Sequence, residues 1–257
     1  MSFTIFDSHS HYTDAAFDAD RREVLAGFKE KGIVKCMVAA SDLPSAADGI
    51  ALAEEFPDLL ITAVGVHPEC PDPPADYLQT LRNMASHKSV RAIGEIGLDY
   101  HYEGYDKDVQ IRIFREQMAL SQELDLPVIL HCRDAMGDML EILHTLAPIN
   151  GVMHCFGGSA ESAKEVLAMG MYIGFTGVIT FKNAKKPLAA LREVPLERLL
   201  LETDCPYMAP VPYRGTRCDS TMLTETAAVM AREKGVTMEE ICKITAENAA
   251  KLFRCEV

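Results

Sequence analysis

Short apolar runs alternate along the chain with longer amphipathic stretches. The apolar runs predict eight strands, at residues 4–8, 33–40, 60–66, 90–94, 127–130, 151–153, 171–175 and 199–201. Strands that alternate with helices in this way form a parallel sheet, and eight such units close into a barrel. We therefore expect an α/β protein of the TIM (β/α)8 barrel class, with residues 1–257 in a single domain.

The amphipathic stretches predict the helices that connect these strands. They cover residues 18–31, 46–55, 76–86, 106–124, 136–146, 160–168 and 184–192. Two more helices follow the last strand, and each carries end signals. Asp219 or Ser220 can cap a helix that stops before Gly235, and a capping box that begins at Thr237 opens the final helix.

The composition is that of an ordinary globular enzyme, and its charge restricts the partners. The formal charge of −13 argues against a protein that coats nucleic acid or a membrane, because both surfaces are anionic. No basic region followed by an apolar run opens the sequence, and no stretch reaches the roughly 18 apolar residues of a membrane span. The eight cysteines are spread singly, without a CxxC pair. We expect a cytoplasmic protein with reduced thiols, no membrane contact and no obligate protein partner.

Side chains that bind metals lie at the C-terminal ends of the predicted strands, where barrel active sites are built. They are His9, His11, His67, Glu95, His131, His154 and Asp204. Side chains alternate in direction along a strand, so His9 and His11 project to the same side and can hold one ion together. The groups that follow strands four, five and six converge over the barrel axis, because these strands are neighbours.

Imidazole and carboxylate groups bind divalent transition ions, and one carboxylate can bridge two ions. Two such ions can share a hydroxide and stabilise charge on a phosphoryl or carbonyl oxygen, while Asp204 would orient that hydroxide or accept its proton. A single histidine at a strand end is more often structural, and a lone carboxylate there is more often a helix cap. Coincidence at five strand ends is much rarer. We expect one or two divalent ions, with zinc, manganese, nickel or iron preferred over magnesium by these ligands.

Six segments carry these residues. They are Phe6-Asp-Ser-His-Ser-His11, Val64-Gly-Val-His-Pro68, Gly94-Glu-Ile-Gly-Leu-Asp-Tyr100, Leu130-His-Cys-Arg133, Met153-His-Cys-Phe156 and Leu201-Glu-Thr-Asp-Cys-Pro206. In this order and spacing they resemble the signature segments of TatD-type metal-dependent deoxyribonucleases, a branch of the amidohydrolase-like barrels. The resemblance implies ligands of a first ion (His9, His11), a bridging carboxylate (Glu95), ligands of a second ion (His131, His154) and a catalytic carboxylate beside the first ion (Asp204).

The loop after the eighth strand departs from the family pattern. The family usually reads Arg-Gly-x-x-Asn-Glu-Pro, whereas this chain reads Arg214-Gly-Thr-Arg-Cys218-Asp219-Ser220. The substitutions leave the implied metal ligands intact. The contacts of this loop differ, and substrate preference could shift with them.

Basic and aromatic side chains gather in the predicted loops around the mouth. The basic candidates for substrate binding are His67, Arg133, Lys182 and Arg214, with Lys185, Lys186 and Arg217 nearby. Loops after strands seven and eight often bind phosphate in this fold, although a lysine pair is equally often a solvated surface feature. The aromatic candidates for stacking on a base are Tyr12, Tyr100, Phe156, Tyr207 and Tyr213. Burial as ordinary packing is the commoner fate of such side chains.

We expect a hydrolase that cleaves DNA phosphodiester bonds by a metal-activated hydroxide. Few cations surround the mouth, so the DNA footprint should be short, with a preference for ends or single strands. The family resemblance implies that the preferred end is the 3′ end. One alternative is a hydrolase of a small or nucleotide-linked ester or amide, because fold and ligands do not determine the substrate. Another is a non-catalytic metal-binding protein. Asp204 argues against that class, since a pure binding site needs no base.

Overall fold

A computed structural model describes residues 3–257. Its eight strands all pair in parallel, in the order of the chain. They are β1 (Ile5–Ser10), β2 (Ile33–Ala39), β3 (Leu60–Val64), β4 (Val90–Asp99), β5 (Val128–Arg133), β6 (Gly151–Met153), β7 (Tyr172–Phe175) and β8 (Leu199–Leu201). A parallel bridge between Ser10 and Cys205 joins β1 to the segment after β8. The expected TIM (β/α)8 barrel class is confirmed.

Nine α-helices surround or follow the strands in the described part of the chain. They are α1 (Arg21–Ala26), α2 (Leu43–Glu55), α3 (Tyr77–Ala85), α4 (Lys107–Leu124), α5 (Met136–Leu146), α6 (Ala160–Ala168), α7 (Lys185–Glu193), α8 (Leu223–Lys234) and α9 (Met238–Phe253). The helix predicted at residues 18–31 was too long. Gly27 ends α1, because glycine has low helix propensity, and a separate 3-10 turn follows at Lys29–Lys31.

The capping residues predicted from the sequence lie at the helix ends, in the conformations expected of them. Asp219 caps a 3-10 turn that leads into α8, and Gly235 ends that helix in the left-handed conformation, with φ of 68°. Thr237 and Glu240 form the complete capping box of α9. Among residues 3–257, no helix is both long and apolar enough to cross a membrane.

The barrel interior is filled with apolar side chains, and α9 packs against that filling. The ring of Phe253 on α9 lies 6.1 Å from the ring of Phe6 on β1, measured between centroids. Met37, Ile129 and Leu200 belong to the same buried cluster. Because this layer occupies the interior, polar side chains can collect only above it, at the C-terminal ends of the strands.

Candidate metal centre

Two irregular strands aim the predicted ligands into the barrel. Phe6 belongs to the interior cluster, so strict alternation would place Ser8 on the same face, and not His9. The pairing register of β1 shifts between Asp7 and Ser10, and His9 faces Glu95 from across the barrel. Such irregularities are common beside active sites, because they redirect side chains.

Strand β4 contains a similar shift in pairing register. Ala92 points into the interior, and the register shifts between Ile93 and Ile96, so that Glu95, three residues after Ala92, also faces inward. The strand continues to Asp99, well beyond the predicted end at residue 94. Glu95 therefore lies within the strand, where its amide donates a hydrogen bond of 2.9 Å to the Ala40 carbonyl, and not in the loop that follows.

One set of donor atoms gathers on the β1 side of the cluster. His9 Nε2 lies 3.1 Å from His11 Nε2 and 3.2 Å from Glu95 Oε2. His11 Nε2 lies 3.6 Å from the same carboxylate oxygen and 3.3 Å from Asp204 Oδ1. Asp204 reaches this position from the loop after β8, where its backbone adopts a left-handed φ of 63° that aspartate tolerates better than most residues.

A second set of donors gathers around the other oxygen of Glu95. Oε1 lies 2.8 Å from His131 Nδ1 and 3.0 Å from His154 Nε2. His67 Nε2 stands slightly further away, at 3.7 Å from Oε1. The two oxygens of one buried carboxylate therefore face different imidazoles: Oε2 faces His9 and His11, and Oε1 faces His131 and His154. This arrangement suits a bridging ligand.

Burial and neighbouring charged groups shift the pKa values of the cluster residues in opposite directions. Burial by itself raises the pKa of Glu95, but the charges of His154 and His9 outweigh it and hold that pKa well below the usual range. For His131 the signs are reversed: burial lowers its pKa, but its hydrogen bonds to Asp99 and Glu95 outweigh this effect and raise the pKa to about 9. Glu95 is therefore an anion that attracts positive charge to its two oxygens.

Hydrogen bonds behind the imidazoles set which ring nitrogen faces the cluster. His11 Nδ1 contacts the carbonyl oxygen of Ala39 at 3.1 Å, and His131 Nε2 lies 2.8 Å from Asp99 Oδ2. A neutral ring that carries its proton on this nitrogen would present the lone pair of the other nitrogen to an ion bound at the cluster. Such backing contacts orient metal-binding histidines and make them more basic.

Sequence reasoning missed two carboxylates that lie next to imidazoles of the cluster, Asp99 beside His131 and Glu202 beside His154. Asp99 lies four residues after Glu95, on the same side of β4, so alternation could have found it. Glu202 is fully buried, and its Oε1 lies 3.3 Å from His154 Nδ1. Its place directly after β8, next to Thr203 and Asp204, carried no distinct signal.

The donor set fits a divalent ion. Ligands about 2.0–2.2 Å from a tetrahedral ion lie roughly 3.3 Å from one another. The separations among His9, His11 and Glu95 Oε2 are 3.1, 3.2 and 3.6 Å. Residues 3–257 contain three such triads of mutually close donors: His9, His154 and Asp204; His9, His11 and Glu95; and His67, Glu95 and His131.

A cavity of about 950 Å³ opens above this cluster. Of the predicted substrate residues, His67 and Arg133 line it, and Lys186 also contributes. Lys182 and Arg214 lie outside its lining, and the guanidinium of Arg214 instead stacks 4.1 Å from the ring centroid of Phe181. Free cations at the cavity are therefore fewer than the loop sequences indicate.

The remaining rim candidates separate into buried and exposed groups. Arg217 is held by Asp20 through two hydrogen bonds of 2.7 Å, so its charge is already paired. Tyr12 and Phe156 are buried in ordinary packing, whereas Tyr207 is exposed and lines the cavity. Tyr100 packs against the ring of Tyr105, and Tyr213 is exposed but lies outside the cavity lining. Tyr102, which was not selected from the sequence, lines the cavity.

The loop after β8, which departs from the family pattern at Cys218–Ser220, supports the bottom of the site. Ser220 Oγ donates a hydrogen bond of 2.6 Å to Asp7, and the Ser220 amide donates one of 2.9 Å to the Tyr12 hydroxyl. Burial raises the pKa of Asp7 to about 7, although the hydrogen bonds from Ser220 and Thr203 oppose this rise. A proline at position 220 could supply neither donor, so both hydrogen bonds depend on the serine that this chain has there.

An eight-stranded barrel with clustered imidazoles and carboxylates at its C-terminal mouth defines a class of protein, the metal-dependent barrel hydrolases. The description "TatD related DNase" belongs to the family whose pattern matches residues 6–254. The chain belongs to this TatD family, as its signature segments predicted.

Relatives of this chain match it over almost its whole length. YabD of Bacillus subtilis, an uncharacterized metal-dependent hydrolase, is 41% identical over 97% of this chain and 99% of its own. A protein of Erwinia tasmaniensis named 3'-5' ssDNA/RNA exonuclease TatD is 33% identical over 97% of this chain and 99% of its own. The crystal structure of YJJV, a TatD homolog from Escherichia coli K12, has a TM-score of 0.93 at 30% identity and covers 100% of both chains.

Proposed function

We propose that this enzyme hydrolyses phosphodiester bonds near the ends of single-stranded nucleic acid, DNA above all. The observation that carries the proposal is the carboxylate of Glu95, whose two oxygens face two groups of imidazoles beneath an open cavity. A site of this kind suits a substrate on which negative charge builds during reaction. The name of the Erwinia relative supports the same class of substrate.

In this proposal, each group of donors holds one divalent ion. His9, His11 and Asp204 would hold the first, His131 and His154 would hold the second, and Glu95 would bridge them. Ions held there supply Lewis-acid stabilisation of a phosphoryl oxygen and make a nearby water molecule more acidic. Zinc, manganese, nickel and iron match these ligands better than magnesium.

The protein's own groups orient the substrate and move the proton. Asp204 lines the cavity and lies beside His11, where its carboxylate can accept a proton from the attacking water. His67 Nδ1 accepts a hydrogen bond from the Glu69 amide at 3.2 Å, so the proton of the neutral ring is on Nε2. Burial lowers the pKa of His67 to about 3, and the neutral ring can donate from Nε2 to a phosphoryl oxygen. Exposed Arg133 adds a cation at the cavity wall.

The small number of cations at the cavity limits how much nucleic acid can be bound. Arg133 and Lys186 are the basic side chains with long, flexible stems in its lining. Repulsion between the phosphates and a protein of formal charge −13 weakens longer contacts. A strand end can bring one phosphodiester to the cavity with few other contacts, which supports end-directed cleavage.

Hydrolysis of labelled oligonucleotides by metal-loaded protein tests the proposal. The substrates are single-stranded and duplex DNA labelled at either end, methyl 4-nitrophenyl phosphate, and a panel of carboxylic esters and amides. We expect shortening of single strands from one end and slower reaction on the duplex. Turnover of esters or amides without any phosphodiester cleavage would contradict the proposal and favour a small-molecule hydrolase on the same centre.

A further inference from the structure

Exposed hydrophobic side chains are concentrated around the mouth of the barrel. Of the seven large hydrophobic side chains exposed in the described chain, six lie in the loops that follow β4 and β8. They are Tyr102, Tyr105, Tyr207, Met208, Val211 and Tyr213. Scattered apolar side chains need no explanation, but a concentration beside a cavity marks a binding surface.

The two loops stand on opposite sides of the proposed metal centre. In an eight-stranded barrel with strand order β1 to β8, β4 and β8 are four strands apart in either direction. Tyr102 extends from the loop after β4 and Tyr207 from the loop after β8, and both line the cavity that contains Glu95 and Asp204. The cluster therefore lies between two exposed aromatic rings.

A hydrogen bond holds the hydroxyl edge of the Tyr207 ring, Arg133 lies over one face of the Tyr102 ring, and both side chains are exposed over much of their surface. The hydroxyl of Tyr207 donates a hydrogen bond of 3.0 Å to Asp14, and its side chain is 55% exposed. Tyr102 is 57% exposed, with the Arg133 guanidinium 5.3 Å from its ring centroid. An aromatic ring beside an exposed arginine offers a stacking surface and a phosphate contact together.

We propose that Tyr102 and Tyr207 are two base-stacking positions, which hold the bases on either side of the phosphodiester that is cut. This rests on the proposed function and identifies its ligand as an unpaired strand, because bases in a duplex are already stacked on one another. Stacking on an aromatic ring contributes about 1–3 kcal/mol per base and tolerates every base. A stacked ring would contact the base and not the 2′ position of the sugar, so substitution of either tyrosine should affect DNA and RNA strands alike.

The same loops supply matched controls for each ring. Tyr105 follows Tyr102 in its loop, but its ring stacks on Tyr100 at 4.6 Å between centroids and does not line the cavity. Tyr213 follows Tyr207 in its loop and is 43% exposed, also outside the lining. Substituting either control residue by alanine removes an exposed ring from the loop without removing one from the cavity.

The test compares Tyr102→Ala and Tyr207→Ala with Tyr105→Ala and Tyr213→Ala in the metal-loaded enzyme. The substrates are single strands of DNA or RNA, the same strands with abasic sites in the terminal nucleotides, and methyl 4-nitrophenyl phosphate. We expect each cavity variant to lose about 5- to 100-fold in kcat/KM on the complete strands, with phenylalanine at the same position restoring most of it. On abasic strands and the small diester, which offer no base to either ring, the loss should be much smaller than on complete strands.

A binding measurement separates this inference from the proposed function. Strands that carry 2-aminopurine in the terminal nucleotides are mixed with Asp204→Asn protein, and quenching of the base by stacking is recorded. Quenching that disappears with Tyr102→Ala or Tyr207→Ala supports the inference even if strands are not cleaved, in which case the proposed function alone fails. Cleavage with unchanged quenching, or equal losses on complete and abasic strands, would overturn the stacking positions and leave the proposed function standing.

Discussion

Asp204 is the residue whose proposed task depends most on its protonation. Asp204→Asn keeps an oxygen beside His11 but removes the group that accepts a proton. We expect kcat to fall by at least about 100-fold while the metal content of the purified protein stays close to that of the wild type. Steady-state kinetics on a diester substrate, together with elemental analysis, measure both quantities. An asparagine variant of normal activity would remove Asp204 from the mechanism.

Glu95 differs from Asp204 because both of its oxygens face the cluster. Glu95→Ala removes a carboxylate whose two oxygens lie 2.8 to 3.6 Å from imidazoles of both groups. We expect the bound metal to fall by about one ion per chain, since a bridging ligand is lost. Elemental analysis after dialysis checks this, with Glu69→Ala as the control because Glu69 lines the cavity outside the donor set. Equal metal content in both variants contradicts the bridging assignment.

At the scale of the elements, the close approach of β4 and β5 positions His131 against Glu95. Gly97 pairs with His131, and a Cβ atom at Gly97 would stand only 2.0 Å from the His131 carbonyl oxygen. Its φ of 147° also disfavours any other residue. We expect Gly97→Ala to lower the free energy of unfolding by about 1–3 kcal/mol, because the strands must separate locally.

Gly104 provides the control for this prediction. It also has a positive φ, of 87°, but nothing lies within 4 Å of a Cβ atom added there. Gly104→Ala should therefore show the backbone cost alone, about 1 kcal/mol. Urea denaturation compares the two variants. If both are destabilised equally, strand packing at Gly97 does not constrain the site.

The molecule as a whole carries a formal charge of −13, and few cations line its cavity. We expect linear single strands to be degraded and covalently closed duplex circles to survive, because circles offer no end and repel the surface. The salt dependence of cleavage should correspond to fewer than about five neutralised phosphates. Gel analysis of both substrates over a salt series measures this. Efficient cutting of closed circles, or a steeper salt dependence, would show a much longer footprint.

Local patterns along the chain were enough to predict the architecture and the candidates for the metal centre. Alternating apolar runs and amphipathic stretches are local signals, and strong ones, so all eight strands and most helices could be read directly. The histidines and carboxylates could be selected because the C-terminal ends of parallel strands meet at one end of a barrel. Their roles as ligands stay predictions, which the proposed metal analyses address.

The way these groups face one another could be read only from the folded chain. Irregular register turned His9 and Glu95 inward where strict alternation would not, because a shift of one residue reverses every side chain after it. Barrel closure placed Tyr102 opposite Tyr207, and packing between distant segments paired Arg217 with Asp20. Such arrangements depend on contacts between residues far apart in the chain, and local sequence carries no record of those distances.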